Sequence, residues 1–154
     1  MKLEGTFSVD PFKNIIEHRP WGEYSLYSDN APCTVKILYI KKDEMLSMQY
    51  HFMRDQFYLL LDDDFIIEYS SSEVPDTTLY EINDSKRIEG FDIFLSNNII
   101  QTNGKNGDMF GFRRKIVHRA HYMGNKECGR ILDIAFGVND ENDIVRIRDK
   151  YGRV

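Results

Sequence analysis

The sequence of 154 residues contains only two cysteines, Cys33 and Cys128, and they lie far apart along the chain. No CxxC pair is present, so no disulfide framework can be predicted. No run of residues approaches the 18 apolar residues of a membrane span, and the N-terminal residues lack the apolar core of a signal peptide. These absences predict a reduced, cytoplasmic protein with no membrane partner.

An excess of positive charge is also lacking. The formal net charge is −5, which argues against a nucleic-acid partner, because phosphate contacts require a basic surface. A net negative charge does not exclude a small anionic ligand held by a few local arginines. The expected partner is therefore a small molecule.

The chain has no internal repeat, no low-complexity segment and no linker rich in proline or glycine. Its length fits one domain, and we predict a single domain over 1–154. Within it, we assign 1–23 to an N-terminal extension, 24–137 to a barrel and 138–154 to a tail packed on that barrel.

Aromatic residues are abundant, with ten Phe and nine Tyr, and together with few alanines they favour strands over helices. Short segments rich in β-branched or aromatic residues recur at spacings of about ten residues, bounded by Asn, Asp, Gly and Ser. Such a pattern is typical of an antiparallel sandwich or barrel. The predicted strands are 34–42, 45–52, 57–61, 65–70, 77–82, 91–96, 115–123 and 130–137, and the clearest turn is NGKNGD (103–108).

The two ends of the chain depart from this pattern. A short helix is predicted around Asp10–Glu17, where Asp10 can cap the helix and Pro11 can take its first position. The tail DENDIVRIRDKYGRV begins acidic and ends basic, which suits either a short helix or an extended segment packed on the barrel.

Several motifs together resemble the cupin domain of type II mannose-6-phosphate isomerases, often fused behind a mannose-1-phosphate guanylyltransferase. They are RPWGEY (19–24), VKILYIKKDEMLSMQYH (35–51), HR (118–119) followed by glycine 124, and NDENDIVRIRDKYGR (139–153). The resemblance implies an all-β cupin jelly roll, also called a double-stranded β-helix. It further implies metal-dependent aldose–ketose isomerisation of a sugar phosphate, and a homodimer.

The family's metal motif, LSLQxHxHRxEHW, reads LSMQYHFMRDQFY here. His51 is retained, but Met53, Gln56 and Phe57 stand where the family has histidine, glutamate and histidine. By resemblance, one divalent ion (Zn²⁺, Mn²⁺ or Co²⁺) would be held by His51, Gln56 and His118. A thioether is a poor ligand for such ions. The alternative is a changed site, in which His51 is a hydrogen-bonded core histidine and Met53 and Phe57 fill the barrel.

Candidate catalytic residues follow from the same resemblance. Arg119 can grip a phosphate or stabilise an enediolate, and His118 precedes it. Asp133 lies in the apolar strand RILDIAFG. A carboxylate buried there would be either paired or raised in pKa, and both states are compatible with acid–base chemistry.

Four further residues are candidates for substrate binding. Arg54 is retained from the family motif, whereas Arg113 belongs to a basic cluster that the family lacks. Gln49 and Lys36 occupy matched positions on neighbouring strands and can line a sugar site. For Gln49 and Lys36 the competing interpretation is ordinary surface polarity, and for Arg113 it is a solvated basic loop.

Two functional hypotheses remain from the sequence. The first is a mannose-6-phosphate isomerase-like enzyme that interconverts mannose 6-phosphate and fructose 6-phosphate for activated-mannose or surface-polysaccharide synthesis. The second is a diverged cupin without a metal, which binds, isomerises or epimerises a sugar or sugar nucleotide, or serves as a non-catalytic dimerising module.

Overall fold

The computed structural model describes residues 15–30, 33–75 and 84–153, and within its helix the side chains from residue 90 onward. Eleven strands and one α-helix follow in chain order: β1 Ile15–Arg19, β2 Gly22–Ser28, β3 Thr34–Lys41, β4 Met48–His51, β5 Arg54–Leu60, β6 Phe65–Ser70, α1 Asp84–Asn98, β7 Ile99–Gly104, β8 Met109–Phe112, β9 His118–Tyr122, β10 Cys128–Gly137 and β11 Ile144–Arg148. A short 3-10 helix, Glu141–Asp143, precedes β11.

The strands form two antiparallel sheets. The first contains six strands in the order β1-β2-β3-β10-β5-β8, and the second contains five in the order β11-β4-β9-β6-β7. Because β10 lies between β3 and β5, strands distant in sequence become neighbours. This arrangement confirms the predicted all-β jelly roll.

Two hydrophobic cores result, one on each side of the five-stranded sheet. The larger core lies between the two sheets and includes Ile40, Leu60, Phe65 and Ile131. The smaller core lies on the outer face of the five-stranded sheet, which packs against α1. That sheet is therefore covered on both faces, and its strands alternate between the two cores, as side chains on a strand must.

The helix α1 corrects one sequence prediction. Residues 91–96 were expected to form a strand but lie in α1. Phe91, Phe94 and Leu95 are buried, whereas Asp92, Ile93 and Ser96 are exposed. This spacing of i, i+3 and i+4 places the apolar side chains on one helical face, which packs on the five-stranded sheet.

The ends of the chain also differ from expectation. Of the helix predicted around 10–17, residues 15–17 form part of strand β1, and the remainder lies outside the described residues. Residues 15–23, assigned above to an extension, contribute β1 and the start of β2 to the six-stranded sheet. The predicted strand 77–82 also lies outside the described residues.

The tail and the turn agree better with the sequence. The tail forms the 3-10 helix and then strand β11, which extends the five-stranded sheet beside β4. The turn at 103–108 joins β7 to β8. None of the described helices is long and apolar enough to cross a membrane.

Candidate active site

A cavity opens at one end of the barrel, which we call the open end. The opposite end, filled by Ile40, Leu60, Phe65, Ile67, Tyr122 and Ile131, is the closed end. Five cationic side chains and two carboxyl groups are among the residues that line the cavity: Arg19, Lys36, Arg54, Arg146, Arg153, Asp133 and Glu141. In a chain of net charge −5, this concentration of cationic side chains favours a negatively charged ligand, although Arg19 is paired with Glu17 at 2.7 Å.

Strand pairing sets the floor of the cavity. Asp133 on β10 lies directly opposite Lys36 on β3 and Tyr58 on β5. The Lys36 ammonium nitrogen lies 4.7 Å from the centre of the Tyr24 ring. Burial lowers the pKa of Lys36, an effect that the charge of Asp133 opposes. Burial raises the pKa of Asp133, and Lys36 opposes that shift in turn.

Behind this floor, the Gln56 side-chain amide joins Asp133 to two histidines. One end of the amide lies 2.8 Å from Asp133 Oδ1. The other end lies 2.8 Å from His118 Nε2 and 3.1 Å from His51 Nε2. His118 Nδ1 donates to the carbonyl oxygen of Ile116 at 2.9 Å, so the proton on that nitrogen is fixed.

Two proton arrangements satisfy these contacts, because the two ends of a carboxamide have the same shape. If the amide oxygen of Gln56 faces the imidazoles, His118 donates through both nitrogens and is an imidazolium, and Asp133 is a carboxylate. If the amide nitrogen faces them, His118 is neutral and Asp133 is a carboxylic acid that donates to the amide oxygen. The site has the same net charge in both arrangements.

The second arrangement is favoured on three grounds. Burial lowers the pKa of His118 to about 4, and burial raises the pKa of Asp133, so the neutral form of each group is preferred. Arg54 Nη2 also lies 3.4 Å from His51 Nε2. A guanidinium only donates, so this nitrogen of His51 must accept, and an amide nitrogen of Gln56 can then donate to it as well.

The residues between the histidines do not fit a divalent metal ion. The Gln56 amide is hydrogen-bonded to both Nε2 atoms that would be ligands. Met53, at the position of a family histidine, lies in the β4–β5 turn and is 42% exposed. Among residues 15–30, 33–75 and 84–153 no cluster of three His, Cys, Asp or Glu side chains could hold a metal. The family's metal cage is thus replaced by an amide bridge.

The tail is fastened to the turn that follows His51. The Asp143 carboxylate accepts hydrogen bonds from the backbone N–H groups of Phe52 and Met53, at 2.9 and 3.0 Å. Arg54 donates to the Asn139 side chain. These contacts hold β11 beside β4 and so position the tail residues that line the cavity.

Two predicted site residues lie elsewhere. Arg119 follows His118 on β9, and successive strand residues face opposite sides of a sheet. The Arg119 guanidinium therefore lies on the outer face, where it pairs with Glu68 at 2.5 Å, and it does not line the cavity. Arg113 is exposed in the β8–β9 loop and does not reach the cavity either.

The structure brings the other predicted residues together. Lys36, Gln49, Arg54, Gln56 and Asp133 line the cavity. The two remaining predicted residues, His51 and His118, lie behind Gln56 and are 2% and 1% exposed.

Sequence reasoning missed Arg19 and Glu141, and it placed Arg146 and Arg153 in a tail whose expected role was to pack on the barrel. Both tail arginines are paired, Arg146 with Glu141 and Arg153 with Asp149, each at 2.8 Å. These pairs agree with the packing role, yet the same side chains also line the cavity. The motifs RPWGEY and DIVRIRDKYGR contained the signal, because each carries a lining arginine.

Comparison with solved structures identifies similar folds. CapF of Staphylococcus aureus, a capsular polysaccharide assembling protein, is 10% identical with a TM-score of 0.60 over 88% of this chain and 34% of that one. This chain therefore spans about a third of the CapF chain. KdgF of Halomonas sp. is 9% identical, with a TM-score of 0.56 over 90% of this chain and 97% of that chain.

A third similar structure is Streptomyces PAC13, solved with uridine. It is 7% identical, with a TM-score of 0.59 over 93% of this chain and 91% of that chain. At these identities the likeness establishes the fold alone. A search of curated proteins gives no significant match.

The family comparison is more informative than the structural ones. The family model described as mannose-6-phosphate isomerase C-terminal matches residues 12–89, about half of the chain. The matched range includes Lys36, Gln49, Arg54 and Gln56 of the cavity. The chain belongs to the mannose-6-phosphate isomerase C-terminal family.

Proposed function

We propose that this cupin binds a phosphorylated sugar at its open end and interconverts the aldose and ketose forms without a metal ion. The observation that carries the proposal is the cluster of five cationic side chains around one cavity in an acidic protein. Family membership supports mannose 6-phosphate and fructose 6-phosphate as the substrate pair, and activated-mannose or surface-polysaccharide synthesis as the context.

The lining of the cavity suits a sugar phosphate in charge. Four arginines and one lysine are among the lining side chains. Guanidinium groups bind phosphate oxygens in a bidentate fashion. In the proposal, the lining arginines hold the phosphate, and the sugar carbonyl lies over Lys36 and Asp133.

Isomerisation moves a proton between C2 and C1 while the carbonyl oxygen becomes an enediolate oxygen. In the proposal, the Asp133 carboxylate removes the C2 proton and returns it to C1, and the O2 hydroxyl proton passes to O1, so that the carbonyl forms at C2. The Lys36 ammonium donates a hydrogen bond to the developing enediolate oxygen. In the empty site this carboxylate belongs to the less favoured arrangement, so the proposal requires a proton to pass from Asp133 to His118 through the Gln56 amide when the substrate binds. His118 does not touch the substrate and therefore acts through Gln56 as a positioning residue. Moving one proton between Asp133 and His118 leaves the net charge of the site unchanged.

A coupled assay for conversion of mannose 6-phosphate to fructose 6-phosphate tests the proposal, first with a chelator and then with added Zn²⁺, Mn²⁺ and Co²⁺. We expect turnover that the chelator leaves unchanged. The Lys36→Met variant should lose at least about 100-fold in kcat/KM, whereas Lys105→Met, in the exposed β7–β8 turn, should lose less than about twofold. Turnover that requires added metal, or no turnover under any condition, contradicts the proposed reaction.

A second candidate is a module that binds a sugar phosphate or sugar nucleotide without turnover. The observation that favours it is the amide bridge, which removes the metal chemistry of the family. Calorimetric titration with mannose 6-phosphate and with a nucleoside diphosphate sugar distinguishes the two candidates. Binding that Lys36→Met weakens, in a protein with no turnover in the coupled assay, supports the binding module.

A further inference from the structure

Lys36 is held differently from the four arginines that line the cavity. Three of them are paired with a carboxylate at 2.7 or 2.8 Å: Arg19 with Glu17, Arg146 with Glu141 and Arg153 with Asp149. The fourth, Arg54, donates to the side chain of Asn139. Within residues 15–30, 33–75 and 84–153, the Lys36 ammonium has neither a hydrogen bond nor an ion pair. Its position therefore depends on another kind of contact.

That contact is with the ring of Tyr24. The Lys36 Nζ atom lies 4.7 Å from the ring centre, inside the distance of about 6 Å at which the negative face of an aromatic ring attracts a cation. Strand pairing brings the two side chains together, because Tyr24 on β2 lies opposite Leu38 on β3, two residues from Lys36. Such diagonal neighbours on one face of a sheet are within reach of aromatic and long side chains.

An aromatic ring holds an ammonium group without occupying its hydrogen-bond donors. Lysine has three N–H donors and no acceptor. A carboxylate partner would accept from one of them and offset the positive charge, as happens at three of the lining arginines. The Tyr24 ring does neither. The Lys36 ammonium therefore keeps its charge and its donors for a ligand in the cavity, which both residues line.

Tyr24 is itself fixed at its hydroxyl group. Arg19 Nη2 lies 3.4 Å from the Tyr24 hydroxyl oxygen and donates to it, and the same nitrogen lies 2.7 Å from the Glu17 carboxylate. Burial, and then a hydrogen bond with Glu17, raise the pKa of Tyr24, which is 8% exposed. The Arg19 guanidinium also lies 5.4 Å from the ring centre, and Glu17 offsets its charge there. The edge strand β1 thus keeps the ring in the orientation that meets Lys36.

We propose that Tyr24 is a positioning residue, whose ring holds the Lys36 ammonium at the floor of the cavity with its N–H donors free. The motif RPWGEY then has a function beyond packing, because it supplies both the ring and the Arg19 side chain that fixes it. This inference rests on the proposed isomerisation, in which Lys36 donates to the enediolate oxygen. The contact between the ring and the ammonium can nevertheless be measured without a substrate.

Competitive labelling of lysines with acetic anhydride over a series of pH values, read by mass spectrometry, measures the titration of Lys36 in the free protein. Only the neutral amine reacts, and burial already lowers the pKa of Lys36. Because the ring favours the charged form, Tyr24→Leu should move the labelling midpoint of Lys36 lower by about one further pH unit. Tyr24→Phe, which keeps the ring, should move it much less. Lys105, in the exposed β7–β8 turn, is the internal control and should titrate alike in every variant.

Turnover in the coupled assay tests the consequence for the reaction. Tyr24→Leu should lower kcat about tenfold and leave KM within about twofold, because the ammonium acts on charge that develops only in the transition state. The basic limb of the pH profile should move to lower pH together with the labelling midpoint. Tyr24→Phe should lose less than about threefold, since the ring remains. Tyr27→Leu, at a position 39% exposed on the same strand, is the matched control and should change neither kcat nor the midpoint.

A labelling midpoint that stays at the wild-type pH in folded Tyr24→Leu overturns the proposal, whatever the activity. A higher KM with unchanged kcat also overturns it, because the ring would then contact the sugar rather than position Lys36. A lowered midpoint in a protein without turnover supports the contact and contradicts only the proposed isomerisation. Tyr24→Met, which also removes the ring, takes the place of Tyr24→Leu if that variant does not fold.

Discussion

The two ends of the barrel are built from the same strands but differ in what they enclose. On β10, Ile131 packs at the closed end with no exposed surface, and Asp133, two residues further on, forms the floor of the cavity. On β9, Tyr122 belongs to the closed end, and His118 contacts the amide bridge at the open end. A difference of two residues along β10, and of four along β9, therefore separates apolar packing from buried polar groups.

This contrast indicates that the closed end mainly stabilises the fold and that the open end carries the functional groups. Buried apolar side chains each contribute about 1.5–3 kcal/mol relative to exposure. Buried polar groups are costly unless every one finds a partner. At the open end Gln56 supplies partners for Asp133, His51 and His118. We therefore expect substitutions at the closed end to change stability, and those at the open end to change chemistry.

The largest expected effect is on turnover at the open end. Asp133→Asn keeps the shape of a neutral carboxyl group and can still donate to the Gln56 amide, so the thermal midpoint should change little. Without the proposed base, turnover of the sugar phosphate should fall about 10²–10⁴-fold. Asp92→Asn, on the exposed side of α1, is the control. Full activity in Asp133→Asn would remove this residue from the mechanism.

At the closed end, Ile131→Ala should lower the free energy of unfolding by about 2–5 kcal/mol, because it removes buried methyl groups and leaves a cavity. The affinity for a sugar phosphate should remain within about twofold of wild type. Urea denaturation and calorimetric titration measure the two quantities. Ile93→Ala, at a position 57% exposed, should cost less than about 1 kcal/mol. A large loss of affinity in folded Ile131→Ala would show that the two ends are coupled.

The histidines at the open end predict how stability depends on pH. Burial lowers the pKa of His118 to about 4 and that of His51 to about 2, whereas an unfolded histidine titrates near about 6.5. As the pH falls from about 6.5 to 4, the unfolded chain binds protons that the native state does not. Stability should therefore fall across this window, by on the order of 3 kcal/mol from His118.

Asp133 has the opposite dependence, because its raised pKa means that the native state keeps a proton that the unfolded chain has lost. Urea denaturation at several pH values between 7 and 4 measures the free energy of unfolding, which contains the contributions of the histidines and of Asp133 together. His118→Gln should flatten the slope, and His18→Gln, at an exposed position, should not. An unchanged slope in folded His118→Gln would contradict the assignment of a neutral, buried imidazole.

The smallest expected effect is a gain of metal affinity. Gln56→Glu places a carboxylate between the two imidazoles of His51 and His118, a donor set that Zn²⁺ and Mn²⁺ accept. Affinity for these ions should rise at least about tenfold in calorimetric titration. Gln49→Glu adds the same charge to the cavity lining but not to the amide bridge, since the hydrogen bond of Gln49 is with Ser47, and it serves as the control. Equal gains in both variants would indicate only a charge effect.

Much of the fold could be predicted because it depends on local pattern. The strand at 65–70 and the turn after Asn103 were predicted correctly, since a β-branched run and a Gly-rich turn are local signals. The helix α1 was missed because a window of six residues, 91–96, is too short to separate a period of two from one of 3.6. The helical spacing of its apolar residues becomes evident only in the structure, where Phe94 and Leu95 lie on one face with Phe91.

The site could be predicted in part. Lys36, Gln49, Arg54 and Asp133 lie at the cavity because matched strand positions share an orientation. Arg119 was misplaced by treating the pair His118-Arg119 as one unit, although neighbouring strand residues face opposite ways. The hydrogen bonds of Gln56 connect β5 with three other strands, β4, β9 and β10, and contacts between distant strands cannot be predicted from local sequence pattern.

The position of β10 between β3 and β5 also has a consequence for the order in which the chain folds. Its partners on β3 and β5 lie far earlier in sequence, so long loops must close before the six-stranded sheet is continuous. Until β10 inserts, β3 and β5 each present an unpaired edge, the kind of surface through which chains associate wrongly. The strand that pairs with both edges, the last of this sheet in chain order, also carries Asp133, so one strand completes the floor of the cavity and covers both edges.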